Sequence, residues 1–255
     1  MKILFSIITA GMLMCAVIAC DSDETTTPPD NTTDTLRFEA KKGFVSRFDE
    51  YPVDTAGPSF DKPILAEHVL VQETISDTGI TYFGKSGVSM HIGPGSRFDT
   101  TYFYQDASGD LYRYNYGFEL LAVPELEPYL ERPIDMQWVL LMKFSKKEGA
   151  TWLAKRDSIN VPAFGTKVYF ESNATMKADT IIRVGTEDIS CRQAEHVITA
   201  TASFNGIPVV GKIIARTYVS AKYGKVILDY IRSGSIAGGV NAKVRGVYKI
   251  MTYHE

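Results

Sequence analysis

Cysteine is scarce in this chain: there are three in 255 residues, at Cys15, Cys20 and Cys191. Cys15 and Cys20 belong to the N-terminal leader region, so Cys191 has no partner in the body, and packing rather than a disulfide must stabilise the fold. An excess of basic residues is also missing. The 27 Lys and Arg stand against 30 Asp and Glu, a net charge of −3, whereas a nucleic-acid partner demands a basic face. Beyond residue 20 no apolar run approaches the roughly 17–25 residues that cross a bilayer as a helix; the best, Trp138 to Met142, is strand-sized. The histidines, His68, His91, His196 and His254, are scattered with no pair at ligand spacing, so neither a metal nor a cofactor is expected.

What is present begins with a leader. Lys2 gives a positive start, Ile3 to Met14 form an apolar run, and Val17-Ile18-Ala19-Cys20 closes it with a small residue before the cysteine. This resembles a bacterial lipobox. The resemblance implies diacylation of the Cys20 thiol, cleavage between Ala19 and Cys20, and a mature protein held on a membrane by its acyl chains. An uncleaved transmembrane helix is the competing reading, since Ile3 to Ala19 is long enough for a short span. The small residues Gly11, Ala16, Ala19 and Cys20 favour cleavage.

Residues 21 to 35 contain no hydrophobic side chain, so they cannot offset the entropy of ordering and read as a disordered tether. Such a segment reaches about 20 Å on average and about 50 Å fully extended. Asp21, Asp23 and Glu24 follow the cysteine closely. An acidic cluster there resembles a surface-export signal of Bacteroidota, whereas an aspartate at the first position resembles an inner-membrane retention signal of enteric bacteria. The Thr/Asp-rich tether and tyrosine-rich body resemble the first group, which implies an outer-membrane lipid anchor with the body periplasmic or surface-exposed. The expected divisions are 1–19 for the leader, 20–36 for the lipidated cysteine and tether, and 37–255 for the body, either undivided or split near 121–136.

In the body the apolar period is two almost everywhere. Val88, Met90 and Ile92 alternate with polar or small neighbours. Phe98, Thr100, Tyr102 and Tyr104 share one parity, as do Tyr112, Tyr114, Tyr116 and Phe118, and Asp106-Ala107-Ser108-Gly109-Asp110 between them reads as a type I turn closed by a left-handed glycine. If Asp106 faces Asp110, Tyr104 pairs with Tyr112 and Tyr102 with Tyr114. An aromatic ladder results.

A second hairpin turns at Asn205-Gly206, a strong two-residue loop signal. That register sets Phe204 opposite Ile207, Ala202 opposite Val209, Ala200 opposite Gly211, Ile198 opposite Ile213 and Glu195 opposite Arg216. One face is then apolar and the other polar or ion-paired, which a one-residue slip would destroy. The apolar face is small at Ala200, Ala202, Gly211 and Ala215, so either something bulky packs there or the sheet encloses a cavity. Further strands are expected at 69–75, 138–144, 166–171, 180–185, 225–231 and 244–253. Pro124, Pro128 and Pro133 exclude a long helix between Leu121 and Met136. The fold expected is mainly β: a curved antiparallel meander, half-barrel or barrel-like, with at most short helices.

Four segments carry a family resemblance: Ser145 to Trp152 with its G-x-x-W, Val161-Pro162-Ala163-Phe164, Ile189 to Ala194, and Tyr218 to Val226 with its late G-x-V. Together they resemble a loosely defined group of Bacteroidota-type lipoproteins and, more distantly, half-barrel lipoprotein carriers of the Lol type. The carrier resemblance implies a concave apolar face that holds an acyl chain or lipoprotein tail. Such carriers are usually basic around the mouth, and this chain is not.

Several motifs invite enzymatic readings. Gly79 to Ser86 matches G-x-x-x-x-G-K-[ST] letter for letter, but that chemistry needs a loop opening a helix, and these residues are strand formers. Residues 106–110 faintly resemble a calcium loop without its terminal bidentate Glu. Cys191 and His196 lie five apart along one strand, an odd spacing that is expected to put them on opposite faces. Neither Gly93 to Ser96 nor Gly234 to Gly239 sits in a strand-turn-helix context. No catalytic residue and no enzyme is expected. The ligand candidates are therefore the small face, Ala200, Ala202 and Gly211, for a hydrophobic ligand, and the ladder Tyr102, Tyr104, Tyr112 and Tyr114, as structural packing or as a platform for a glycan or a protein partner.

Overall fold

The computed structural model describes residues 37–52, 69–93, 100–114, 138–204, 206–237, 240–241 and 245–255. Cys20, the tether, the proline-rich segment 121–136, His68, Tyr116 and Phe118 lie outside them. Thirteen strands run in chain order: β1 (Val45–Pro52), β2 (Val69–Tyr82), β3 (Lys85–Ile92), β4 (Thr100–Gln105), β5 (Asp110–Tyr114), β6 (Trp138–Lys143) and β7 (Thr151–Val161), then β8 (Thr166–Val184), β9 (Glu187–Phe204), β10 (Ile207–Ser220), β11 (Lys225–Ala237), β12 (Val240–Asn241) and β13 (Arg245–His254). The one helical piece among the described residues is the 3-10 turn Pro162–Phe164. A mainly β, antiparallel meander was the expectation, and it holds.

The sheet order is β6-β5-β4-β3-β2-β1-β13-β11-β10-β9-β8-β7, with β12 on β11. Two meanders are thus spliced where β1 pairs with β13. The Asn205-Gly206 hairpin has the register read from sequence, from Phe204 opposite Ile207 to Arg216 opposite Glu195, and the last pair is an ion pair at 2.7 Å. At the other hairpin Asp106 N donates to Asp110 O and Gly109 N to Asp106 O, and Tyr104 faces Tyr112. The stretches expected as separate strands at 166–171 and 180–185 are parts of one long strand, β8.

Two cores lie within the curl. Phe103, Leu111 and Val139 of β4–β6 pack with Trp152, Phe170, Ile198 and Ile213 of β7–β10. Phe48, Ile182, Ile189, Ile227 and Met251 form the second. β8 and β9 serve both, and an irregularity between Lys177 and Thr180 separates their shares. There the buried set on β9 changes parity, from Ile189 and Cys191 to Ala194, His196 and Ile198. Cys191 and His196 are both inward for that reason, which corrects the opposite-face expectation: alternation holds only while a ladder is regular.

The curl is closed by side chains. The ladder between β5 and β6 steps from Leu111 opposite Met142 to Tyr112 opposite Leu140, so Leu141 is an unpaired bulge residue. Its carbonyl accepts from His196 Nε2 at 2.8 Å, the neighbouring Leu140 carbonyl from Trp152 Nε1 at 3.0 Å, and the Phe144 carbonyl from Arg192 at 2.9 Å. β6, the outermost strand on its side, therefore meets capping groups where another strand could add. Around the second core Glu187 accepts from Lys222 at 2.9 Å and from the Tyr223 hydroxyl, and lies 3.2 Å from His254. The His254 ring stacks on Phe44 at 5.7 Å.

Phe38 and Glu39, ahead of β1, are docked on the body. Phe38 lies on Phe103 at 5.5 Å, Glu39 N donates to Ala221 O, and Gly224, at φ +58°, lies so close to Glu39 that a Cβ would overlap its carbonyl. Gly224→Ala is expected to cost about 1–3 kcal/mol from the left-handed backbone alone, and more from the overlap. Gly165→Ala, at φ +57° with open space around it, isolates the backbone term. In urea denaturation Gly224→Ala should be the more damaging of the two; equal losses would remove the role assigned to this contact.

Candidate functional site

On β4 and β5 the odd-numbered Phe103 and Leu111 point into the first core, which turns Tyr102, Tyr104, Tyr112 and Tyr114 to the opposite, outer face. All four are half-buried. The ladder anticipated from sequence therefore exists, with Tyr104 and Tyr112 ring centroids 5.9 Å apart and Tyr102 and Tyr114 6.3 Å apart.

Four residues that the sequence reading did not assign complete this face. The β2–β3 ladder is irregular in three places between Ile75 and Thr81, and such bulges bend a hairpin. Its tip folds onto the ladder. Tyr82 stacks on Tyr102 at 3.7 Å, Phe83 meets Tyr114 at 5.0 Å, and the Lys85 ammonium lies 5.2 Å from the Tyr104 centroid and 5.9 Å from that of Tyr112. Trp138, the first residue of β6, donates its indole N–H to the Phe83 carbonyl at 3.2 Å and meets Tyr114 edge-on. The turn has positive φ at both Phe83 (41°) and Gly84 (73°), the mirror-type turn that suits a two-residue hairpin. It occupies the letters of the phosphate-loop pattern, which is thus a strand-turn-strand. An x-Gly pair flanked by β-forming residues was the available signal.

Phe83 is 65% exposed, so the face is open at the hairpin tip. Burial pushes the Tyr82 hydroxyl up to about 12, helped by Tyr102 and Tyr114. The Tyr112 hydroxyl also rises to about 12, through burial and then the charges of Asp106 and Asp110. Both remain protonated donors. Burial would raise Asp106, but hydrogen bonds from Ser108, Asp110 and Tyr112 outweigh it and hold the carboxyl low.

The other candidate, the small-residue face, has a large neighbour. Ala200 lies between Gly211 on β10 and Phe170 on β8; Phe170 is buried in the first core, and the half-buried Ala200 and Val168 pack against that core. Of the two alternatives left open by the sequence, bulky packing describes the surroundings of Ala200. Ala202, half-buried, lies opposite Val209.

Elsewhere, β3 buries Val88 but then Ser89 and His91, leaving Ile92 exposed. His91 takes the inward place that alternation assigned to Met90 and Ile92, packing on Phe103 at 4.7 Å and lying 3.5 Å from Glu73. Cys191 is buried, and burial with the Asp179 charge pushes its thiol up to about 12, unsuited to nucleophilic work. Among the described residues no three His, Cys, Asp or Glu side chains are grouped so as to hold a metal ion.

The sequence matches no family model and no curated protein. Two solved structures align with most of the chain. A candidate lipoprotein from Parabacteroides distasonis ATCC 8503 aligns with a TM-score of 0.45 at 9% identity, over 86% of this chain and 98% of its own. A candidate exported protein with a YmcC-like fold from Bacteroides fragilis NCTC 9343 aligns with a TM-score of 0.35 at 7% identity, over the same shares.

Proposed function

We propose that this is a non-enzymatic, lipid-anchored envelope protein, held in the outer membrane through Cys20, whose body binds carbohydrate on the aromatic outer face of β2–β6. The lipobox and the apolar-free tether support the anchor. The binding reading is carried by one observation: Tyr82, Phe83, Tyr104, Tyr114 and Trp138 form a contiguous ring surface with Phe83 65% exposed at its tip. Rigid aromatic rings offer apolar area to the C–H faces of sugars at little entropic cost, and phenol hydroxyls supply directed hydrogen bonds. The hydrophobic-ligand reading is weaker, because Phe170, opposite Ala200, packs into the first core beside it.

Phe83→Ala should leave stability nearly unchanged, since surface substitutions usually stay within about 0.5 kcal/mol, while weakening retention in polysaccharide affinity electrophoresis about tenfold, as expected of an anchor residue. Retention identical to wild type, or polysaccharides that never retard the wild type, would sink the carbohydrate reading and leave a protein partner to be sought.

A further inference from the structure

We propose that the sugar taken by this face is anionic, carrying a carboxylate or a sulfate that pairs with the Lys85 ammonium; the proposal rests on the carbohydrate reading above. Lys42 pairs with Asp77, Lys143 with Asp110, Lys177 with Glu195 and Lys222 with Glu187. Lys85 has no such partner among the described residues, and what holds its ammonium is the pair of rings beneath it, Tyr104 and Tyr112.

The two acids nearest in the ladder's own turn are already engaged. Asp110 takes Lys143 at 3.4 Å. Asp106 is turned into its loop, accepting from Ser108 N at 2.9 Å, Ser108 Oγ at 2.7 Å and Asp110 N at 3.0 Å through one oxygen, and from the Tyr112 hydroxyl at 3.3 Å through the other. A ligand lying along Phe83 and the ladder therefore meets a positive charge that no carboxylate of the described residues neutralises. Ring faces attract the ammonium without cancelling its charge, so a ligand anion gains the attraction in full. An ammonium is a compact charge without the planar fork of a guanidinium. It accepts a carboxylate or a sulfate alike, and the test separates them.

The test uses the full acylated chain in detergent micelles against matched probes: oligogalacturonate and its methyl ester, a sulfated oligosaccharide and its desulfated form, and neutral gluco- and galacto-oligosaccharides. At low salt at least one anionic probe should bind roughly fivefold more tightly than its neutralised twin, the size of a half-exposed charge pair. Lys85→Gln should abolish that preference, Lys85→Arg should retain it, and raising the salt to 1 M should erase it in the wild type. The probe that shows the preference identifies the anion. Equal binding of charged and neutralised probes, or a preference that survives Lys85→Gln, overturns the anionic assignment while leaving the carbohydrate reading intact. No binding of any probe, with Phe83→Ala indistinguishable from wild type, overturns both.

Discussion

His196→Ala should be the most damaging single change in the body, costing about 3–5 kcal/mol. The imidazole is fully buried. Its Nε2–H donates to Leu141 O at 2.8 Å, and Nδ1 is left to accept from Ser172 Oγ at 3.4 Å. Truncation would open a cavity beside Trp152, whose ring lies 6.0 Å away, and would leave a bulge carbonyl without the donor that meets it. The same residue should make the protein acid-sensitive. Burial lowers its folded pKa to about 4 from an ordinary 6.5, opposed by the Leu141 bond, which favours the charged form. Between these values the unfolded chain binds the proton and the folded protein does not. The stability this site contributes is therefore intact above about pH 6.5 and lost as pH falls toward 4. From pH 7 to pH 5 the loss is about 2 kcal/mol. Urea midpoints at both pH values should show it in the wild type and show less of it in His196→Gln, which keeps an N–H donor but does not titrate. Parallel pH dependences in the two proteins would contradict this account.

Cys20→Ala should abolish attachment through acyl chains outright. Without the thiol there is no site for diacylation and no substrate for the lipoprotein peptidase, so metabolic palmitate labelling should vanish and the unprocessed leader should remain. Two or more acyl chains hold stably where one holds marginally, so the wild type should resist a high-salt wash and enter the detergent phase. Labelled Cys20→Ala, or wild type free in the periplasm, would overturn the anchor.

Legibility in the sequence followed locality. Both hairpins could be read because a turn signal and a side-chain alternation lay within about ten residues of each other; Asn205-Gly206 and the small face around Ala200 determine one register together. The inward partner of His196, Ala215, followed from that register. Three things were hidden. The parity change before Ala194 comes from a ladder irregularity, which no alternation pattern reports. The burial of His91 in place of Met90 depends on Phe103 and Glu73, partners on other strands. The tyrosine ladder was visible, but its completion by Tyr82, Phe83, Lys85 and Trp138 needs the bent β2–β3 tip and the pairing of β6 with β5, contacts between segments far apart in the chain.

The splice between β1 and β13 sets the order in which the molecule can be assembled. Val45 and Glu255 exchange both backbone hydrogen bonds, at 2.8 and 3.0 Å, and β1 sits in the middle of the sheet with β2 on its other side. Local hairpins such as β8–β9 and β9–β10 need only short loops closed and can form early. The β1–β13 seam closes a loop of nearly the whole body, the kind of contact that slows folding. Until β13 arrives, β1 presents an unpaired edge. A protein built this way remains an open, unfinished sheet until its C-terminal strand is in place, and the last ladder expected to form is the one that joins its two meanders into one.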